Sequence, residues 1–167
     1  CFGWSPVPVE LFAAAPSQNE FLETLVAAPG INWSRVTAFH MDEYVGLPPE
    51  APQRFGNWLR DRLFKQVKPG KVQYLDGSAK DPEQECRRYT ELLKASPPDI
   101  TCMGIGENGH LAFNDPPYAF FKDPKAVKVI DLDLVSRQQQ VNDGCFSRLD
   151  EVPKTALTLT IPTLLSA

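Results

Sequence analysis

Residues 104–117, with the sequence GIGENGHLAFNDPP, place a histidine in a Gly-rich segment with polar neighbours. His110 lies close to Asn108 and Asp115 in the chain, and a histidine held by such partners can transfer protons near neutral pH. A purely structural histidine is the alternative, but the glycines and polar residues around it favour a functional role. We therefore predict that His110, Asn108 and Asp115 are catalytic residues.

The same segment matches the dinucleotide-binding pattern G-x-G-x-x-G at Gly104, Gly106 and Gly109. In that fold the last glycine opens a long helix, whereas residues 114–117, NDPP, stop a helix within two turns here. We therefore expect no cofactor. Gly106 and Gly109 are instead predicted to let a substrate approach the backbone.

A second candidate is Asp42, within residues 40–46, HMDEYVG. It directly follows a predicted strand at residues 36–41. A carboxylate in that position can act as a general base when its surroundings tune its pKa. The alternative is a solvated acid that only ends the strand.

A third candidate is the segment 13–18, AAAPSQ, which precedes a predicted helix. Ser17 and Glu20 have capping-box spacing, and a helix N-terminus offers free amides and partial positive charge to a phosphate. We predict that Ala15, Ser17 and Gln18 bind phosphate. The alternative is an ordinary turn in which Ser17 only caps its helix.

The elements that must position these loops alternate between strands and amphipathic helices. Strands are predicted at residues 9–15, 36–41, 72–75, 100–105, 126–132 and 155–161. Helices are predicted after Ser17, over residues 55–63, after residue 81 and around residues 135–142. This order predicts an α/β, Rossmann-like three-layer α/β/α fold with a mostly parallel sheet. Ligands of such sheets bind beyond the carboxyl ends of the strands, where all three loops fall.

Composition narrows the class of protein. The net charge of −4 argues against a nucleic-acid partner, and no apolar run is long enough to suggest a membrane partner. The four cysteines form no C-x-x-C pair, so we expect no metal site, reduced thiols and a cytoplasmic protein. The first residues, CFGWSP, lack a basic segment, and we expect no signal peptide.

The paired motifs MDEYVGLP at residues 41–48 and GIGENGHLAFNDP at residues 104–116 resemble the two signatures of the glucosamine-6-phosphate deaminase/isomerase family. The resemblance extends over residues 9–167. The related 6-phosphogluconolactonases typically have Thr-Ala-Ser after the histidine, where this chain has LAFN, and Asp-Glu-Arg where it has Asp42-Glu43-Tyr44.

The resemblance implies conversion of glucosamine 6-phosphate and water to fructose 6-phosphate and ammonia. It implies that Asp42 is the base that moves a proton between C2 and C1, that His110 helps to open the sugar ring, and that the loop with Ser17 holds the phosphate. The best-known deaminases of the family have Asp at the position of Asn108 and Glu at that of Asp115. A phosphate-binding Arg of the family falls near Gln140, and Arg137, about one helical turn earlier, is a candidate substitute.

The sequence leaves alternatives open. A related sugar-phosphate isomerase, a lactonase-like hydrolase and a non-catalytic sugar-phosphate-binding protein remain, and so does a homo-oligomer. We interpret residues 1–167 as one domain that is cut at both ends. In that case the strand at 155–161 would form an uncovered edge, and we expect poor solubility and little activity.

Overall fold

The computed structural model describes residues 7–106 and 108–167. Residues 1–6, on which the expectation of no signal peptide rests, and Glu107 lie outside the described residues. The strands of this part of the chain are β1 (Val9–Phe12), β2 (Thr37–His40), β3 (Asp42–Tyr44), β4 (Lys71–Gln73), β5 (Ile100–Cys102), β6 (Val127–Asp131) and β7 (Thr155–Leu159). All six predicted strands are present but shorter than predicted, and β3 is additional.

The α-helices are α1 (Asn19–Ala27), α2 (Phe55–Leu59), α3 (Lys65–Val67), α4 (Pro82–Ala95), α5 (Leu134–Asn142) and α6 (Ile161–Leu164). A π-helical turn, Arg60–Phe64, joins α2 to α3, and 3₁₀ turns lie at Pro16–Gln18, Trp33–Arg35 and Leu149–Glu151. The carboxylate of Asp81 caps α4 by accepting from the amides of Glu83 and Gln84. Within the described ranges, no helix has the length and apolarity needed to cross a bilayer.

Four strands form a parallel sheet in the order β4-β2-β1-β5. The side chains of β1 alternate between its two faces. Leu11 packs with Phe39 and with Tyr89 of α4, whereas Phe12 faces the side of α1 with Leu22. Helices therefore cover both faces of the sheet, as the three-layer prediction requires.

The last two strands depart from the expected parallel arrangement. β6 and β7 pair antiparallel, and β3 pairs antiparallel with the other side of β7 in a separate three-stranded sheet. The prediction that residues 155–161 form an open edge is therefore wrong, because β7 lies between two partners. The edge strands of the parallel sheet are instead β4 and β5, and Ile100 of β5 exposes 43% of its surface.

Candidate active site

The sequence motifs meet at a cleft of about 680 Å³ beyond the carboxyl ends of β1, β2 and β5. This volume lies in the range of small-molecule sites. Its walls are formed by residues 13–17, residues 41–44, residues 52–62, residues 104–106 and 110–113, and residues 139–145.

Asp42 lines the cleft at the start of β3 and pairs across the sheet with Thr158. Only 8% of its surface is exposed, and no hydrogen bond from the described residues reaches its carboxylate. Burial, together with the charge of Glu43, raises the pKa of Asp42 well above its ordinary value. A carboxyl group with these surroundings can exchange a proton with a bound ligand near neutral pH.

The side chain of His40 holds the backbone of Asp42 by a hydrogen bond. Its Nε2 accepts from the amide of Leu75 at 3.0 Å, so its Nδ1 carries the proton and donates to the carbonyl of Asp42 at 2.9 Å. The hydroxyl of Tyr89 donates to the His40 carbonyl at 2.9 Å. Because the imidazole is fully buried, its pKa is lowered to about 4, despite the hydrogen bond to Asp42.

The buried neutral His40 should make folding stability sensitive to acid. The unfolded chain takes up this proton near pH 6.5, whereas the folded chain resists it down to about pH 4, so stability is lost as the pH falls through this interval. The contribution of His40 amounts to about 3 kcal/mol. Urea unfolding of the wild type and of His40→Gln at pH 7 and pH 4.5 measures it.

Asp42 and Glu43, whose pKa values are raised, oppose this loss because their protonated forms favour the folded state. The comparison with His40→Gln isolates the histidine, since the substituted amide does not titrate. We expect the wild type to lose more stability than the variant on acidification. Equal losses would contradict a buried neutral His40.

Glu43 ties β3 to the start of α2, a role that the sequence patterns did not reveal. Its carboxylate accepts from the amides of Tyr44, Phe55 and Gly56, each at 3.0 Å, and lies 3.8 Å from the Nε of Arg54. Burial raises the pKa of Glu43 to about 7, although these partners oppose the rise. The only signal in the sequence was a second acid directly after a strand.

The predicted polar partners of His110 are in contact with it. Its Nδ1 lies 2.6 Å from Oδ1 of Asn108 and 3.2 Å from Oδ1 of Asp115, and Asn108 donates to the same Asp115 oxygen at 2.6 Å. The hydrogen bond with Asp115 raises the pKa of His110. Burial acts to raise the pKa of Asp115, but the hydrogen bonds from His110 and Asn108 outweigh it and lower that pKa. His110 and Asp42 line the same cleft.

The second oxygen of Asp115 is also held. Oγ of Ser136, in the first turn of α5, donates to it at 3.2 Å. Asp133 caps α5 by accepting from the Ser136 amide at 2.7 Å. The orientation of the Asp115 carboxylate is thus set from both sides, by the Gly-rich segment and by a capped helix.

The segment before α1 lines the cleft at Ala15 and Ser17. The expected capping box is not formed, because the chain enters α1 through the turn Pro16–Gln18, which places Ser17 inside the helical stretch rather than before it. Its hydroxyl is exposed and accepts only a long 3.4 Å hydrogen bond from Gln18 among the described residues. Gln18 itself is not among the residues that line the cleft.

The structure distinguishes between Gln140 and Arg137, the two candidates for the phosphate-binding position of the family. Gln140 lines the cleft, and its Oε1 accepts from the hydroxyl of Tyr44 at 2.7 Å. Arg137 does not reach the cleft. Its guanidinium is buried and donates to the carbonyls of Leu149 at 2.6 Å and Val152 at 2.9 Å, so it closes a loop instead of presenting charge to a ligand.

Within the Gly-rich segment, Gly106 lines the cleft, whereas Gly109, which was predicted to bind substrate, is not among the lining residues. Gly109 has a φ of 87°, a conformation that favours glycine, and its amide donates to the Gly106 carbonyl at 2.9 Å. The residues after His110 that the structure describes form turns rather than a long helix.

Several lining residues escaped the motif analysis because they come from the helical stretch after residue 54. They are Phe55 and Trp58 of α2 and Arg62 of the π-helical turn. The spacing of Phe55 and Trp58 predicted only one face of a helix, and no pattern singled out Arg62. Across residues 7–106 and 108–167, no group of three or more His, Cys, Asp or Glu side chains is placed to hold a metal ion.

Comparison with known proteins gives consistent matches. Residues 15–167 match the family model described as glucosamine-6-phosphate isomerases/6-phosphogluconolactonase. The glucosamine-6-phosphate deaminase of Lactobacillus delbrueckii subsp. bulgaricus is 37% identical over 156 residues, which are 93% of this chain and 64% of that protein. The deaminase of an Exiguobacterium species is 38% identical over 138 residues, which cover 82% of this chain and 52% of that protein.

Solved structures agree with these matches. A monomeric glucosamine-6-phosphate deaminase of the NagB superfamily superposes with a TM-score of 0.88 at 32% identity, over 98% of this chain and 68% of that one. A 6-phosphogluconolactonase from Thermotoga maritima has a TM-score of 0.72 at 21% identity over 93% of this chain and 64% of that one, a likeness of fold alone. The chain therefore belongs to the family of glucosamine-6-phosphate isomerases and 6-phosphogluconolactonases.

Proposed function

We propose that the protein carrying this sequence is a glucosamine-6-phosphate deaminase/isomerase, which converts glucosamine 6-phosphate and water to fructose 6-phosphate and ammonia. The observation that carries this proposal is the placement of Asp42 and His110 in one cleft, each with the surroundings that its role needs. The similarity to proteins named glucosamine-6-phosphate deaminase supports the choice of substrate. We also propose that residues 1–167 belong to one sugar-phosphate isomerase/deaminase domain and that the protein is located in the cytoplasm.

In the proposed reaction, His110 exchanges a proton with the ring oxygen, and Asp42 moves a proton between C2 and C1 of the opened sugar. An aldose–ketose conversion needs a base at the C1–C2 edge and an acid or base at the ring oxygen. The hydrogen bonds of Asn108 and Asp115 orient the imidazole. The carboxylate of Asp42 accepts no hydrogen bond from the described residues and lines the cleft, so it is available to a substrate.

Ammonia release from glucosamine 6-phosphate, measured with the natural full-length protein, tests this function. The expected result is equal production of ammonia and fructose 6-phosphate. Hydrolysis of 6-phosphogluconolactone without ammonia release would favour a lactonase. Binding of fructose 6-phosphate without any turnover would favour a sugar-phosphate sensor, and either outcome would overturn the proposal.

The turn Pro16–Gln18 is proposed to bind the phosphate, with the exposed hydroxyl of Ser17 donating a hydrogen bond. Ser17→Ala should weaken binding of fructose 6-phosphate about 10- to 100-fold, since a hydrogen bond to a charged group is lost. Isothermal titration calorimetry measures the change. Ser34→Ala, at an exposed serine outside the cleft, is the control, and equal affinities of the two variants would remove Ser17 from the site.

A further inference from the structure

The described lining of the cleft contains one Lys or Arg side chain, that of Arg62. Two carboxylates, those of Asp42 and Asp143, line the same cleft and disfavour an anionic ligand. A phosphate ester bound there needs a compensating cation. Arg137, the candidate from the sequence, is buried against backbone carbonyls and does not provide it.

Two contacts hold the guanidinium of Arg62 beside the turn Pro16–Gln18. Its Nε donates to Oδ1 of Asn19, the first residue of α1, at 3.2 Å. Its Cζ lies 4.2 Å from the ring centre of Trp58, which also lines the cleft. These contacts restrict a flexible side chain to the wall where Ser17 is exposed, which reduces the entropy lost on binding.

The remaining donors of Arg62 are free. Within the described ranges no carboxylate pairs with it, and its two terminal nitrogens make no hydrogen bond. By contrast, the half-buried Arg60 and the exposed Arg148 are paired with Asp61 at 3.2 Å and Asp150 at 2.8 Å. The terminal nitrogens of an Arg match two oxygens of a phosphate group in a bidentate contact.

The backbone also deviates from regular geometry at this residue. Arg62 lies in the π-helical turn Arg60–Phe64, between α2 and α3. Such turns are rare inside α-helices, are frequent at functional sites, and rotate the following side chains relative to a regular helix. The turn directs Leu63 and Phe64 into the core, while Arg62 remains on the cleft side.

We propose that Arg62 binds the phosphate group of the substrate, as the cation that completes the anion site of the turn Pro16–Gln18. This inference rests on the proposed function and names the residue that selects a phosphorylated sugar. It predicts that the guanidinium contacts the phosphate group itself and makes no contact with the sugar hydroxyls. The side chain is a binding residue and takes no part in proton transfer.

The test compares Arg62→Gln with Arg60→Gln, which removes the same charge from the same turn but outside the cleft. Arg62→Gln should raise the Kd of fructose 6-phosphate and the KM of glucosamine 6-phosphate about 10- to 100-fold, with kcat changed much less. Arg60→Gln should behave as the wild type. Arg62→Lys should lie between them because it keeps the charge but loses the bidentate geometry.

The outcomes separate this inference from the proposed function. If the wild type releases ammonia and Arg62→Gln binds fructose 6-phosphate as tightly as Arg60→Gln does, the inference on Arg62 is wrong and the function stands. If the wild type binds fructose 6-phosphate without releasing ammonia, the function is wrong, and the same two variants still decide the role of Arg62. If the wild type binds no fructose 6-phosphate, both are wrong. Urea unfolding identifies any variant that has lost its fold. If Arg62→Gln is unfolded, the affinity of Arg62→Lys for fructose 6-phosphate decides the role of Arg62.

Discussion

Asp42→Asn is expected to lower turnover of glucosamine 6-phosphate by about 10²- to 10⁴-fold, the range that general base catalysis contributes. The side chain keeps its size, so the packing of β3 against β7 should persist. An amide cannot take up the proton that a carboxylate removes from carbon. Binding of fructose 6-phosphate should change little, because the proposed phosphate contacts are made by Ser17 and Arg62 and not by Asp42. Stopped assays of ammonia and calorimetric binding measure the two quantities.

Asp143→Asn is the matched control, since Asp143 lines the same cleft from the residue after α5. It removes the same charge without touching the proposed base, and it should keep most of the turnover. In the wild type, the acid limb of the pH profile should lie above the ordinary range of an Asp, because burial and Glu43 raise the pKa of Asp42. Near-normal turnover of Asp42→Asn would refute the assignment.

Gly106→Ala is the second substitution with a large expected effect. A Cβ at this position would lie 2.1 Å from Cε1 of His110 and 2.4 Å from each ring nitrogen, so the imidazole must move. The backbone of Gly106 is outside the left-handed region, and an alanine can adopt its conformation. The expected result is loss of the contacts with Asn108 and Asp115 and a fall in turnover of about 10²-fold or more.

Gly104→Ala is the control in the same loop. Its Cβ would meet only Nε2 of the flexible Gln18 at 3.2 Å and Oγ of Ser17 at 3.7 Å, so the histidine should keep its place. An NMR titration follows the His110 imidazole directly. Its pKa, which Asp115 raises in the wild type, should fall in Gly106→Ala and stay raised in Gly104→Ala. An unchanged titration with full turnover in Gly106→Ala would contradict this geometry.

The parts of the site that the sequence predicted are those set by local patterns. Asp42 follows a strand directly. His110 shares one short loop with Asn108 and Asp115, so proximity in the chain brings these three residues together. The parallel sheet followed in the same way from alternating strands and helices.

The parts that escaped prediction depend on contacts between distant segments. The three residues of β3 become a strand only because residues 156–158 pair with them. Arg137 lies about one helical turn before Gln140, the position at which the resemblance predicts a phosphate-binding residue. Its guanidinium instead donates to the carbonyls of Leu149 and Val152. Arg62 lies in a helical stretch whose apolar spacing indicates only core packing. The π-helical turn that places Arg62 beside the cleft could not be predicted from the residues around it.

The pairing of β3 with β7 also sets the order in which the two sheets can fold during synthesis on the ribosome. The parallel sheet has all its strands once Cys102 has emerged, but Asp42 gains its neighbour Thr158 only when β7 has been synthesised. At typical elongation rates this interval lasts about 3 to 11 seconds. During that time the nascent chain can hold a folded sheet while the segment that carries Asp42 still lacks its strand partner.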